Sequence, residues 1–125
     1  MKRGDALRPA EFFTFDELAC PHCGFFHVQN AALNKLDALR RHIGKPVIVY
    51  SACRCPEYNS SPRIGGAPLS QHRATEEIAS TAFDLALVIP KPQLIKAAME
   101  VGFMGIGVNY NSFVHVDNRP YKVRF

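Results

Sequence analysis

Five histidines and eleven acidic residues in a chain of 125 supply the side chains from which a metal centre can be built. A catalytic zinc takes three protein ligands of imidazole or carboxylate type and keeps a fourth position for water. His72, Asp84 and His115 can supply such a set, although other triplets could be drawn from the same inventory. The four cysteines offer a second chemistry. Cys20-Pro-His-Cys23 has the two-residue spacing of a zinc knuckle, and Cys53-Arg-Cys55 could complete a four-thiolate site if the two loops meet. Four cysteines are too few to define a disulfide scaffold in a domain this large, so reduced thiols are the default, with a structural zinc or a disulfide as alternatives.

The elements that must position these residues are legible in outline. Residues 1–11 read as an amino-terminal tail and 12–125 as one domain. Thr14-Phe-Asp-Glu17 has the reciprocal spacing of a helix capping box. Asn30 can cap a helix that places Leu33, Leu36, Leu39 and Ile43 on one side and an Asp37–Arg41 pair on the solvent side, with Gly44 as its stop. The β-branched run Val47-Ile-Val-Tyr50 reads as a buried strand that delivers Ser51 into a long loop rich in Pro, Gly, Ser and Asn, and His72 closes that loop.

Thr81 to Val88 reads as a second strand with Asp84 among apolar neighbours, where an uncompensated carboxylate would be costly. Pro92 suits the first turn of another helix, whose inner face is Leu94, Ile95, Ala98 and Val101 and which ends at Gly102. The glycines between Gly102 and Gly107 permit a tight turn. Val108–Tyr110 and Phe113–Val116 then form a hairpin around Asn111-Ser112, with His115 on the second arm. Closing on a hairpin favours an α+β fold with a small antiparallel sheet flanked by helices.

Composition narrows the function classes. The net charge of +4 comes from scattered basic residues, so it favours approach to anionic polymers without defining a nucleic-acid patch, and no nucleic-acid partner is expected. No run is long and apolar enough for a membrane span, and no signal peptide is recognised, so synthesis in the cytoplasm is expected, with a monomer as the default state.

A sharper reading comes from the order of the blocks. The chain runs Ser51-Ala-Cys-Arg54, Asn59, Gly65-Gly-Ala-Pro-Leu-Ser70-Gln-His72, Ala82-Phe-Asp84, Gly105-Ile-Gly107 and Phe113-Val-His115-Val-Asp117-Asn-Arg119. In that order they resemble the M15 peptidases, the zinc D-Ala-D-Ala carboxypeptidase-like family. Phe13-Thr-Phe-Asp-Glu-Leu-Ala-Cys20 and Gly44-Lys-Pro-Val-Ile are similar to its phage and bacterial branch, so the resemblance spans about residues 12 to 120.

That resemblance implies a hedgehog/D-Ala-D-Ala peptidase-like domain that hydrolyses D-amino-acid-containing peptide bonds of peptidoglycan stem or cross-link peptides. Action would be at the cell wall after release or delivery, in a phage or prophage setting. It makes His72, Asp84 and His115 ligands of one catalytic Zn2+, and Arg54 the residue facing substrate, flanked by Ser51 and Asn59 as supports. Ser70 and Gln71 could orient His72 or simply cap the loop.

Relatives often carry an acid or a histidine three residues before the last ligand, where this chain has Ser112. Asp117, on the same strand face as His115, is then the candidate base; its alternative role is to receive the His115 ring proton or pair with Arg119. The family places its aspartate seven residues after the first histidine, whereas Asp84 follows His72 by twelve, so five extra residues must bulge outward or displace the strand. Glu76 or Glu77 within the insertion could act as ligand or base. His22, His27 and His42 lie outside the blocks and read as ordinary imidazoles. A non-catalytic, zinc-retaining wall-binding or structural module of the same fold is the competing function.

Overall fold

Thr14 caps the first helix as its spacing predicts. Its Oγ1 accepts from the Glu17 amide at 3.3 Å and Glu17 Oε1 accepts from the Thr14 amide at 2.9 Å, opening helix α1 (Phe15–Leu18) with Phe15 and Leu18 buried. These elements belong to a computed structural model, which describes residues 8–62, 64–66 and 70–125. Residues 1–7 of the expected tail, and Ala67–Leu69 of the glycine-containing block, lie outside the described residues.

Helix α2 (Asn30–Ile43) buries Leu33, Leu36 and Leu39 and stops at Gly44, whose φ of 72° is left-handed. Each fully buried leucine contributes about 1.5–3 kcal/mol through removal of apolar surface from water. Asn30 is the first helical residue, and Gln29 takes the cap position without a side-chain bond. Asp37 does not face solvent beside Arg41. It is buried, and its two oxygens accept the Glu11 and Phe12 amides at 2.9 and 3.1 Å, which pairs donors that lie outside any helix or strand. Arg41 pairs with Glu11 instead.

The remaining order is β1 (Val49–Ser51), α3 (Pro56–Ser60), β2 (Ala82–Ala86), α4 (Lys91–Glu100), β3 (Gly105–Gly107), β4 (Phe113–Asp117) and β5 (Val123–Arg124). The sheet order is β1-β2-β4-β3-β5. All neighbours are antiparallel except β3 and β5, so the sheet is mixed and the domain α+β. The run from Val47 is not a buried strand: β1 starts at Val49 on the sheet edge, and Ile48 and Tyr50 are exposed. The closing hairpin is also redrawn. Val108–Tyr110 is outside the ladder, and Gly105–Gly107 takes its place opposite β4.

Alternation along the strands sorts the sheet into two faces. Phe83 and Leu85 of β2, Val114 and Val116 of β4 and Ile106 of β3 enter one core cluster with α2 and with Leu94, Ile95, Ala97 and Ala98 of α4. The intervening positions, Asp84, His115, Asp117, Gly105 and Gly107, take the other face by the period of two. Helices α2 and α4 therefore back the sheet whose opposite face carries the polar residues.

Candidate metal centre

Register brings two of the expected ligands together. Asp84 on β2 is paired directly with His115 on β4, and their side chains meet with His115 Nδ1 at 3.1 Å from Asp84 Oδ1. His72 reaches the same oxygen from the loop, its Nε2 at 3.0 Å. A short parallel bridge between Arg54 and Arg73 fixes that loop, with the Arg54 amide donating to the His72 carbonyl at 2.8 Å. The three ligand atoms lie within 4.8 Å of one another, and all three residues are buried.

The five-residue insertion bulges outward. The Thr75 amide donates to the Ile78 carbonyl at 2.8 Å to close a turn, and the Thr81 amide donates to the Gln71 carbonyl at 2.9 Å, so the chain re-enters the sheet in step at Ala82. Glu76 and Glu77 join no ligand cluster and do not line the cleft above Asp84. Ser70 Oγ accepts the His72 amide at 3.2 Å, and Gln71 Oε1 accepts from the Thr81 hydroxyl at 2.8 Å; both shape the loop around the first histidine.

The outer nitrogens of the two rings decide what the inner ones can do. His72 Nδ1 lies 2.7 Å from the Ala52 carbonyl, which only accepts, so this nitrogen carries the hydrogen and Nε2 turns its lone pair to Asp84. His115 Nε2 likewise donates to Asp117 Oδ2 at 2.7 Å and leaves Nδ1 toward Asp84. Neutral rings in these tautomers put two lone pairs against a carboxylate oxygen. A cation resolves that arrangement, and imidazole, imidazole and carboxylate are a donor set suited to zinc.

The surrounding charges act in the expected directions. Burial lowers the His72 pKa in spite of the pull of Asp84. At His115 burial also opposes the charged ring, but bonds to Asp117 and Asp84 outweigh it and the pKa is raised. Burial would raise both carboxyls; the adjoining His115 and His72 rings at Asp84, and bonds from Arg119 and His115 at Asp117, hold them well below the usual carboxylate range.

Asp117 sits behind His115. It is fully buried, accepts from Arg119 Nε at 2.8 Å and from Arg119 Nη2 at 2.6 Å, and does not line the cleft. Both oxygens bond His115 or Arg119, which is the arrangement of the alternative role for Asp117, and the expected one of proton-accepting base would need it to reach the cleft. Gly105 and Gly107 explain why this fits. A Cβ at Gly105 would come within 2.2 Å of an Asp117 oxygen, and one at Gly107 within 2.9 Å of His115 Cβ. These glycines serve close side-chain approach across the sheet more than a turn.

Arg54 is no surface ion pair. Its side chain is 13% exposed, its Nε donates to Ser51 Oγ at 3.1 Å and its Nη1 to Asn59 Oδ1 at 3.4 Å, while Nη2 stands 3.4 Å from Asp84 Oδ2. Asn59 is itself buried on α3, and Gly66 lies so close that a Cβ there would meet Asn59 Oδ1 at 2.1 Å. Arg54, Asp84 and the histidines line a cleft of about 660 Å³ together with Arg119, Tyr110, Tyr121 and Phe125. The aromatic wall was not foreseen. The Asp117–Arg119 pair is the one offered as an alternative for Asp117, with Arg119 just beyond the end of β4.

The family model described as Peptidase M15 matches residues 11–117. The chain belongs to the peptidase M15 family. No curated protein matches it. Membership points to a hydrolase of the metallopeptidase type, and the matched span contains His72, Asp84 and His115. In this M15 domain no described helix is long and apolar enough to cross a membrane. His22, His27 and His42 lie outside the metal cluster; His27 Nδ1 is 2.6 Å from the Thr75 carbonyl, and His42 pairs with Glu100.

The four-thiolate expectation is corrected as well. Cys20, Cys23 and Cys55 come together, but Cys53 is fully buried in the apolar core, and burial pushes its thiol up to about 11. Cys55 caps α3 through its sulfur, whereas the residue two positions earlier points into the core.

Proposed function

We propose that the chain is a zinc-dependent peptidase hydrolysing D-amino-acid-containing peptide bonds of peptidoglycan, of the carboxypeptidase or endopeptidase type. His72, Asp84 and His115 are its metal ligands and Arg54 faces the substrate. Its partners are stem or cross-link peptides, met at the cell wall after release or delivery. The convergence of three buried donor atoms beside Arg54 in one polar cleft carries the reading.

A zinc ion held there would supply Lewis acidity and an acidified water. The chain's own residues do the rest. Asp117 fixes the His115 tautomer and ring angle, and the Ala52 carbonyl does the same for His72. Arg54, held from two sides by Ser51 and Asn59, presents a planar cationic fork suited to a peptide carboxylate or to charge growing on a scissile carbonyl oxygen. Tyr110, Tyr121 and Phe125 provide aromatic walls, and the two tyrosines each bring a hydroxyl.

A second reading, a zinc-retaining wall-binding or structural module, has one observation behind it. Among the described residues that line the cleft, Asp84 is the one carboxylate, and the imidazoles are those of the ligand set. Release of peptides from purified sacculi of several wall chemotypes, followed by mass spectrometry, separates the two. Soluble products from wild type but not from His72→Ala support the peptidase; stoichiometric zinc with no product from any sacculus favours the module.

A further inference from the structure

We infer that Cys20, Cys23 and Cys55 hold a second, structural zinc ion, with His22 as its fourth ligand. The three sulfurs lie within 4.8 Å of one another, and none of the three residues belongs to the His72, Asp84 and His115 set. Cys20 follows the end of α1 and starts a tight turn, in which the Gly24 amide donates to the Cys20 carbonyl at 2.7 Å and Gly24 adopts a left-handed φ of 79°. That turn is what allows two cysteines three positions apart to aim at one point. Cys55 arrives from the loop that carries Arg54.

Backbone donors converge on these sulfurs as they would on thiolates. The Cys55 amide donates to Cys20 Sγ at 3.4 Å and the Tyr58 amide to Cys55 Sγ at 3.4 Å. The His22 and Cys23 amides are also directed at the Cys20 sulfur. An N–H donor to sulfur stabilises the ionised ligand a metal requires. His22 Nδ1 stands 3.6 Å from Cys55 Sγ but outside the group that the three sulfurs form, with its ring stacked on Tyr58, so it completes the site by a turn of the ring toward Cys20 and Cys23. Tetrahedral zinc, with Zn–S of about 2.3 Å and Zn–N of about 2.0–2.1 Å, sets its sulfur and nitrogen ligands about 3.6 Å apart.

The consequence is a clamp between the amino-terminal turn and the segment that orients Arg54. Cys55 adjoins Arg54, and α3, which it caps, supplies the Asn59 that holds the guanidinium. Such a site contributes to folding and loop position and performs no chemistry on a substrate.

Zinc content and cobalt spectra of protein purified under reducing conditions test this independently of any peptidase activity. Wild type should carry two zinc ions per chain, and His72→Ala and Cys23→Ser one each. Cys23 is exposed, so this variant spares the core that Cys20→Ser would disturb. Cobalt-loaded wild type and His72→Ala should both show thiolate-to-cobalt charge-transfer absorption, and Cys23→Ser should lose it. His22→Ala should keep the charge-transfer band and shift the ligand-field bands; unchanged ligand-field bands would remove His22 from the site. Wild type with a single zinc that disappears in His72→Ala, and no thiolate band with cobalt, overturns the second site and leaves the peptidase proposal standing. A single zinc that survives His72→Ala and is lost in Cys23→Ser does the reverse.

Discussion

Asp117 Oδ2 lies 2.7 Å from His115 Nε2, on the ring nitrogen that does not face Asp84. The bond fixes which nitrogen of His115 turns its lone pair to Asp84, and Arg119 keeps the carboxylate in place with three further bonds, one from its amide and two from its side chain. Asp117→Asn keeps the shape but removes the charge behind the ring. Zinc affinity, measured by competition with a chromophoric chelator, should fall about 10–100-fold. An unchanged affinity would confine Asp117 to a structural role.

Gly105 faces Asp117 across the β3–β4 ladder, with no room for a side chain. In Gly105→Ala the new methyl group must push the carboxylate or the strand aside, since the atoms it meets are buried and bonded. Urea unfolding of the metal-free protein should show a loss of about 1–3 kcal/mol, and zinc affinity should drop with it. Wild-type stability and affinity in this variant would mean that the Asp117 carboxylate is not held where the register puts it.

Arg54→Lys separates substrate handling from metal binding. Lysine retains the charge but cannot reproduce the fork that bonds Ser51 and Asn59 while facing the cleft. On the proposed peptidase reading kcat/KM on a muropeptide should fall about 100-fold, with zinc content unchanged. A variant with full activity would remove Arg54 from the substrate site.

Cys53 gives a pH signature that comes chiefly from its burial. Its thiol is raised from an ordinary value of 9.0 to about 11 by burial, so the folded state holds the proton more tightly than the unfolded chain does. The resulting stability is fully present below about pH 9 and is lost as pH rises toward 11. Chemical denaturation across that interval should show wild type losing stability relative to Cys53→Ala. Parallel curves for the two proteins would contradict a buried, protonated Cys53.

What could be read from the sequence was what depends on local spacing. The Thr14–Glu17 capping box, the Gly44 stop and the α4 face needed only helical geometry, and the two histidine blocks are short and contiguous. Asp84 was obscured because an insertion changed its distance from His72, and only the Gln71–Thr81 closure shows that the strand keeps its place. Asp117 could not be assigned from its position alone, since the same strand face is compatible with a base or with an orienting partner, and its bond to His115 depends on a ring direction that sequence does not carry. Val108–Tyr110 has the better strand residues, yet Gly105–Gly107 forms β3 because close packing against His115 and Asp117 overrides propensity there. Asp37 was misplaced for a similar reason: its partners are the amides of Glu11 and Phe12, distant in sequence.

The central claim concerns the point between His72, Asp84 and His115, and diffraction at the zinc edge tests it most directly. Crystals of zinc-loaded protein should give an anomalous peak about 2.0–2.2 Å from His72 Nε2, His115 Nδ1 and an Asp84 oxygen. In zinc-saturated protein, a map with no peak among those atoms, and with His72 and Asp84 still in direct contact, would contradict it.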